Sequence, residues 1–205
     1  MPELKLLIAT SNQGKIREIE RILSENQLGI TITLVSLADL AITAVAPENG
    51  QTFLENAAEK STFYSKLAPD LYTVAEDSGL SVEALNGEPG IYSARYSGPD
   101  ATDDKNIEHL LQNLNGQTNR TAKFVTAVSL SKDGRLLKSF IGEVAGEIID
   151  DRRGQHGFGY DPVFYYPPLG KTFAQLSTAE KSSISHRFRA LEKFKRYLPQ
   201  LIAPQ

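Results

Sequence analysis

The chain has 205 residues, 40% hydrophobic and 23% charged, with a formal net charge of −3 and no cysteine. That length suits one large domain or two closely joined lobes, and the charge leaves no global basic field for nucleic acid. The missing thiols exclude disulfides and thiolate metal sites and fit a reducing compartment. No window approaches the roughly 20 apolar residues of a membrane span, and the N-terminal apolar run is too short for a signal peptide.

Leu4 to Ala9 predicts a buried strand, followed by the polar loop Thr10-Ser11-Asn12-Gln13-Gly14-Lys15. Ile16, Ile19, Ile22 and Leu23 then recur at helical spacing. A helix N-terminus offers free N–H groups and a partial positive charge, which favour a phosphate, and Lys15 adds a full charge there. This is no Walker loop, because Ala9 stands where the first Gly belongs and Ile16 follows Lys15. The alternative is plain capping by Ser11 or Asn12 beside a solvated lysine. Thr31 to Ser36 alternates as a second strand, and Pro47-Glu48-Asn49-Gly50 reads as a turn. Thr52 opens a helix, with Glu55 at capping-box spacing. Phe53, Ala57, Tyr64 and Leu67 can line its core face. Glu55, Asn56, Glu59 and Lys60 fall off that face, on what is ordinarily a solvated side.

Tyr72 to Ala75 predicts a short buried strand that stops at two adjacent carboxylates, Glu76 and Asp77, before Ser78-Gly79. Acids just past a strand end are held rigidly at a crevice and suit metal binding or base catalysis. The same four residues alone also make a polar turn. The residues beyond them favour function: Gly87, Pro89, Gly90 and Gly98 punctuate a long segment carrying Tyr92, Arg95 and Tyr96. Thr102 caps a helix to about Asn115, with Ile107, Leu110, Leu111 and Leu114 inward. His109 lies beside that stripe with no second ligand at i±3 or i±4. Arg120 to Ser131 is a long alternating strand, Asp133-Gly134 a hairpin signal, and Leu136 to Ile141 the returning partner, extended by Glu143 to Ile149. This antiparallel portion argues against a purely parallel sheet.

In residues 154–164, Gly154, Gly157 and Gly159 flank Phe158 and Tyr160, Asp161-Pro162 closes the loop, and Val163-Phe164 looks like a strand. Glycines let a backbone approach a ligand, and aromatics there stack on a planar ring or tuck into the core beneath a turn. Ser177 and Glu180 have capping-box spacing, and Ile184, Phe188, Leu191 and Leu198 mark one apolar face. On one continuous helix, His186 and Arg187 fall outside that core face. A helix starting at Ser185 would instead place them in its first turn. Either way they form, with Lys181, a cationic cluster suited to a phosphate or a purine edge, or else an ordinary basic surface. An anion loop, a carboxylate site, an aromatic loop and a cationic cluster are together the parts needed to bind and cleave a magnesium nucleotide.

The segments ATSNQGK (9–15), FLENAAEK (53–60), EDSGLSVEALNGEPGIYSARYSG (76–98), GFGYDPVF (157–164) and EKSSISHR (180–187) stand in one collinear order. Together they resemble the Ham1-type inosine triphosphate pyrophosphatases, also called XTP/dITP diphosphatases. The resemblance implies that residues 1–205 form one α/β nucleoside-triphosphate pyrophosphatase domain. It implies two lobes around an elongated mixed β-sheet with flanking helices, an active-site cleft between the lobes, and a homodimer in the cytoplasm. The implied reaction is Mg²⁺-dependent hydrolysis of ITP, dITP and XTP to the monophosphate and pyrophosphate. Asp77 matches the family's proton acceptor and metal ligand, and Ser78 a substrate contact. Thr10, Ser11, Asn12, Gln13, Gly14 and Lys15 match the substrate loop. Phe158, Gly159, Tyr160 and Asp161 match the base-side loop, and Lys181, His186 and Arg187 the closing contacts. Glu55, Asn56 and Lys60 match a motif near the phosphates and metal. Many relatives carry two acids where this chain has Pro47-Glu48, so Glu48 or Glu76, with waters, is left to complete the Mg²⁺ shell. Donors for a 6-oxo purine would come from N–H groups of the Gly157–Asp161 loop or from His186 and Arg187. The rival readings are a nucleotide sensor without turnover and a general triphosphatase releasing orthophosphate.

Overall fold

The central strands of a seven-stranded mixed sheet are buried almost continuously in this computed structural model, which describes residues 3–24 and 29–202. The strands are β1 (Glu3–Ile8), β2 (Thr31–Ser36), β3 (Tyr72–Val82), β4 (Thr121–Lys132), β5 (Arg135–Ile148), β6 (Phe164–Tyr166) and β7 (Lys171–Thr172). Their order is β2-β1-β3-β4-β5-β6-β7. β1 runs parallel to β2 and β3, whereas β6 runs antiparallel to β5 and β7. The helices are α1 (Gln13–Ser24), α2 (Phe53–Leu67), α3 (Asp103–Asn113), α4 (Thr178–Ile184), α5 (His186–Tyr197) and α6 (Pro199–Ile202). Among the described residues, no helix is long and apolar enough to cross a membrane.

The chain forms two compact units. The first holds the chain through Asp77, Thr126–Gly142 and the chain from Arg187 onward. Successive strand residues point to opposite faces, so β1 and β3 feed two different cores. Leu6, Ile8 and Val74 pack with Ile19, Ile22 and Leu23 of α1, with Ala190, Leu191 and Phe194 of α5, and with Leu198 just after it. Leu7, Ala9 and Ala75 pack on the other face with Tyr64 of α2. Thr52 caps α2 in a full capping box with Glu55, as its spacing predicts. The predicted core face of α2 is only partly right, since Leu67 is exposed while Asn56 and Ser61 are fully buried. The 47–50 segment carries no turn and no regular secondary structure. Its backbone is pinned to α2, Asn49 N donating to Glu59 Oε2 at 2.8 Å and Gly50 N to Asn56 Oδ1 at 2.8 Å.

The second unit holds Ser78–Val125 and Glu143–His186. Leu80 and Val82 of β3 pack with Ile107 and Leu110 of α3, with Leu114 at its C-terminal end, and with Phe124, Val144, Phe164 and Phe173. The Thr102 hydroxyl accepts the Lys105 N–H and starts α3, as expected. His109 is half-buried against Tyr96, ring centroids 4.7 Å apart. The long segment after β3 is anchored by Ser93, whose hydroxyl accepts from Leu80 N at 2.9 Å and donates to Gly90 O at 2.6 Å. The β4–β5 connection turns at Asp133 and Gly134 with φ of 48° and 71°, the paired positive values that a two-residue hairpin requires.

Candidate active site

Glu76 and Asp77 do not follow a strand end. Both lie inside β3, which continues to Val82. The apolar run was a poor guide to the strand's length because Glu76 and Asp77 are buried too, each neutralised by partners that lie far away in sequence. Being adjacent in a strand, the two acids point to opposite faces and cannot share one ion. Glu76 follows Val74 toward α1 and α5, and Asp77 follows Ala75 toward α2.

On the α1/α5 face, Arg187 clasps Glu76 with two hydrogen bonds, Nε to Oε2 at 2.6 Å and Nη2 to Oε1 at 3.0 Å. Arg187 Nη1 pairs with Glu18, and Lys15 Nζ lies 2.9 Å from Glu76 Oε1. The cluster balances two carboxylates with two cations. Burial opposes ionisation of Glu76, but Arg187 and Lys15 outweigh it and hold the carboxyl far below the usual carboxylate range. Burial likewise opposes the Arg187 charge, and Glu76 and Glu18 overcome it. Arg187 is therefore a core residue with 1% of its surface exposed, contrary to the expectation that it lies outside the core. The reason is that Ser185 breaks the helix, with φ −64° and ψ 159°, and α5 turns Arg187 inward with Ala190, Leu191, Phe194 and Leu198. His186 is buried as well, stacked on Phe124 with centroids 4.8 Å apart. Lys15 is paired rather than freely solvated. Asn12 provides the cap, its Oδ1 accepting Lys15 N at 3.1 Å. Around it, Ser11 and Gln13 are exposed, and Thr10 and Gly14 half-buried.

On the α2 face, Asn56 Nδ2 donates to Asp77 Oδ2 at 3.1 Å. Lys60 Nζ lies 3.3 Å from Asp77 Oδ1 and 3.0 Å from Glu48 Oε1, bridging the two acids. Burial pushes the Asp77 carboxyl above its ordinary value, against the pull of Lys60, Lys15 and Asn56, and Glu48 adds to the push. Ser78, next in the strand, is half-buried. Of the two possible second ligands, Glu48 shares Asp77's neighbourhood and Glu76 does not. No group of three or more acidic or histidine side chains is poised for a metal among the described residues.

In the second unit the aromatic loop divides. Phe158 keeps 36% of its surface exposed, whereas Tyr160 is buried in the core and donates its hydroxyl to Ser93 O at 2.8 Å. Burial pushes the Tyr160 hydroxyl up from its usual value. So the ring offered for stacking is Phe158, and Tyr160 follows the alternative of an aromatic tucked into the core. Asp161 organises the loop from inside. Its Oδ2 accepts Phe158 N at 3.0 Å and meets Lys181 Nζ at 2.5 Å. The Lys181 ammonium also lies 4.9 Å from the Phe158 ring centroid. Gly157, at φ +81°, has room for no side chain, because a Cβ there would stand 2.0 Å from Asp161 Oδ2. Gly159 N donates to Asp103 Oδ2 at 2.7 Å. With Asp161 N donating to Phe158 O at 3.4 Å, three of the loop N–H groups expected to face a purine edge are used within the protein.

A mixed α/β fold that buries an ionisable acid among lysines has the make-up of a phosphoanhydride hydrolase. The chain belongs to the Ham1 family, whose sequence profile matches residues 6–197. It is 46% identical over 200 residues to the dITP/XTP pyrophosphatase of Leuconostoc mesenteroides, covering 96% of this chain and 97% of that protein. It is 44% identical over 194 residues to the Staphylococcus aureus dITP/XTP pyrophosphatase, covering 95% and 96%. The solved Staphylococcus aureus Ham1 protein superposes with a TM-score of 0.85 at 43% identity, over 96% of this chain and 99% of that one.

Proposed function

We propose that this chain hydrolyses non-standard purine nucleoside triphosphates, namely dITP, XTP and ITP, to the monophosphate and pyrophosphate, with Mg²⁺ as cofactor. Family membership supplies the substrate class, and relatives called dITP/XTP pyrophosphatase match nearly its whole length. The observation that carries the chemistry is Asp77, a buried carboxylate facing a lysine and a second acid.

The donor set fits Mg²⁺. An ammonium already stands between Glu48 and Asp77, so the two acids accommodate a cation. Both are hard oxygen ligands, and Mg²⁺ takes one or two carboxylates and keeps several waters. Glu48 and Asp77 would hold the ion. Bound there, it would neutralise phosphate charge and the pyrophosphate leaving group. Lys15 and Lys60 supply further cations for the phosphates. Asp77 orients the water that attacks the α-phosphorus, or accepts its proton. Phe158 offers a ring face to the purine, and of the two side chains expected as donors to its 6-oxo edge His186 is left for that role, since Arg187 is engaged by Glu76 and Glu18. A 6-amino group facing such donors leaves both unpaired. Homodimer assembly and a cytoplasmic location carry over from the resemblance as parts of the same proposal, and sedimentation equilibrium tests the first.

The deciding assay supplies ITP, XTP or ATP with Mg²⁺ and quantifies both phosphate products. Pyrophosphate from ITP and XTP is expected, with kcat/KM for ATP lower by about a hundredfold or more. Orthophosphate at comparable rates from ATP would establish a general triphosphatase instead, and no product would establish a sensor.

A further inference from the structure

Asn56 lies within the first turn and a half of α2, on the side expected to face solvent, yet its side chain is 0% exposed. Its amide is used at both ends. Oδ1 accepts Gly50 N at 2.8 Å, and Nδ2 donates to Asp77 Oδ2 at 3.1 Å. The orientation has one solution. A backbone N–H can only donate, so the amide oxygen must face Gly50 and the amide nitrogen must face the carboxylate. The approach of Gly50 is close enough that a Cβ there would stand 2.8 Å from Asn56 Oδ1 and 2.6 Å from Glu55 Cβ. Glu59 ties down the neighbouring Asn49 N–H. The backbone just after Glu48 is thereby fastened to α2, and Glu48 reaches Lys60, which also meets Asp77.

We propose that Asn56 is the positioning residue of the cation seat. By engaging Asp77 Oδ2 it turns Oδ1 toward Lys60 and Glu48. By accepting from Gly50 it holds the Glu48 segment to the same place. One buried amide therefore sets the spacing of two carboxylates that come from a strand and from an irregular segment. The inference rests on the Mg²⁺ reading above and adds a residue that touches neither the ion nor the nucleotide. Aspartate cannot replace it. Asn56→Asp keeps an acceptor for Gly50 but sets a second carboxylate against Asp77 Oδ2, where the amide donor stood 3.1 Å away.

The test uses the full chain as Asn56→Asp, as Asn56→Ala and as the exchange Asn56→Asp with Asp77→Asn. Thermal melting without metal reports folding. Titration of nucleotide-free protein with Mn²⁺ reports the seat, and kcat, KM for ITP and the half-saturating Mg²⁺ concentration report its use. In both single variants, Mn²⁺ affinity and kcat should fall about 10–100-fold, the range seen when groups that orient metal ligands are removed. Half-saturating Mg²⁺ should rise in step, while KM for ITP at saturating Mg²⁺ stays near wild type. The exchange restores an amide–carboxylate pair and should recover the melting temperature without recovering kcat, because the carboxylate then sits on α2. Folded single variants with wild-type Mn²⁺ affinity and kcat would overturn the inference, as would a rise in KM alone. If a single variant does not fold, an exchange variant that recovers both folding and full activity would also overturn it. Absence of pyrophosphate release by the wild-type chain would sink the functional reading instead, with the Mn²⁺ titration still judging Asn56.

Discussion

Replacing Arg187 with methionine removes the guanidinium and keeps an unbranched apolar stem in a fully packed position. Arg187 and Glu76 side chains are each 1% exposed, so water cannot take over the lost hydrogen bonds. Glu76 then keeps its pair with Lys15, and Glu18 loses its contact with Arg187. Breaking a buried pair from one side costs about 3–5 kcal/mol. In a chain of this size each kcal/mol moves Tm by about 2–4 °C, giving a fall of roughly 6–20 °C. The pH dependence has a definite sign. The wild-type Glu76 carboxyl is depressed, so its ionised form contributes stability above the ordinary carboxylate pKa, lost as pH falls through the lower folded value. In the variant the burial remains and the largest opposing charge is gone. Glu76 is then raised, and its ionised form is a burden at neutral pH that protonation relieves. The gap between variant and wild type should therefore narrow as pH falls toward 4. Urea unfolding followed by circular dichroism at pH 7 and pH 4 measures both effects. Adding Glu76→Gln and Glu18→Gln should recover part of the loss, since Lys15 is then the one charge of the cluster that remains and its side chain is partly exposed. A loss below about 1 kcal/mol at pH 7, the scale of an exposed pair, would refute this account of the cluster, and so would a gap that widens in acid.

Asp77→Asn should abolish turnover while leaving stability at pH 7 equal to or above wild type. The raised Asp77 carboxyl contributes stability below the ordinary carboxylate pKa that is lost as pH rises through the folded value. The stability difference should vanish in acid, where Asp77 is protonated in both states, and near-normal kcat in a folded variant would remove Asp77 from the chemistry. Gly157→Ala should raise KM for ITP and destabilise by more than Gly159→Ala. Both sites have positive φ, worth about 1–2 kcal/mol, but only at Gly157 does the added methyl meet Asp161, and Gly159 has open space. Equal effects from the two substitutions, measured by melting and steady-state kinetics, would contradict the proposed role of Asp161 in shaping the loop.

Much of the fold was legible in the chain because it depends on local periodicity and capping. β1, α1, β2, the Thr52 capping box, α3 and the Asp133-Gly134 hairpin all lie where spacing and turn chemistry put them. The segments that carry the site are likewise contiguous motifs, and the family could be read from their order. The sequence could not show which side of the sheet each acid serves, or which polar residues turn inward. The buried side of α2 is built from Asn56, Ala57, Ser61, Tyr64 and Ser65, small or polar groups that leave no hydrophobic stripe to find. Phe194 was the missed clue for Arg187. It lies seven residues on, about 20° away on a helical wheel, and is fully buried. A charge on an apolar arc ordinarily argues for solvent. Here two carboxylates from α1 and β3, far away in sequence, neutralise it in the interior. Local patterning fixes elements because their hydrogen bonds are local. The inward turn of Asn56, Arg187 and Lys181 was decided by tertiary structure, because a polar group is buried only where distant chain segments bring it a partner.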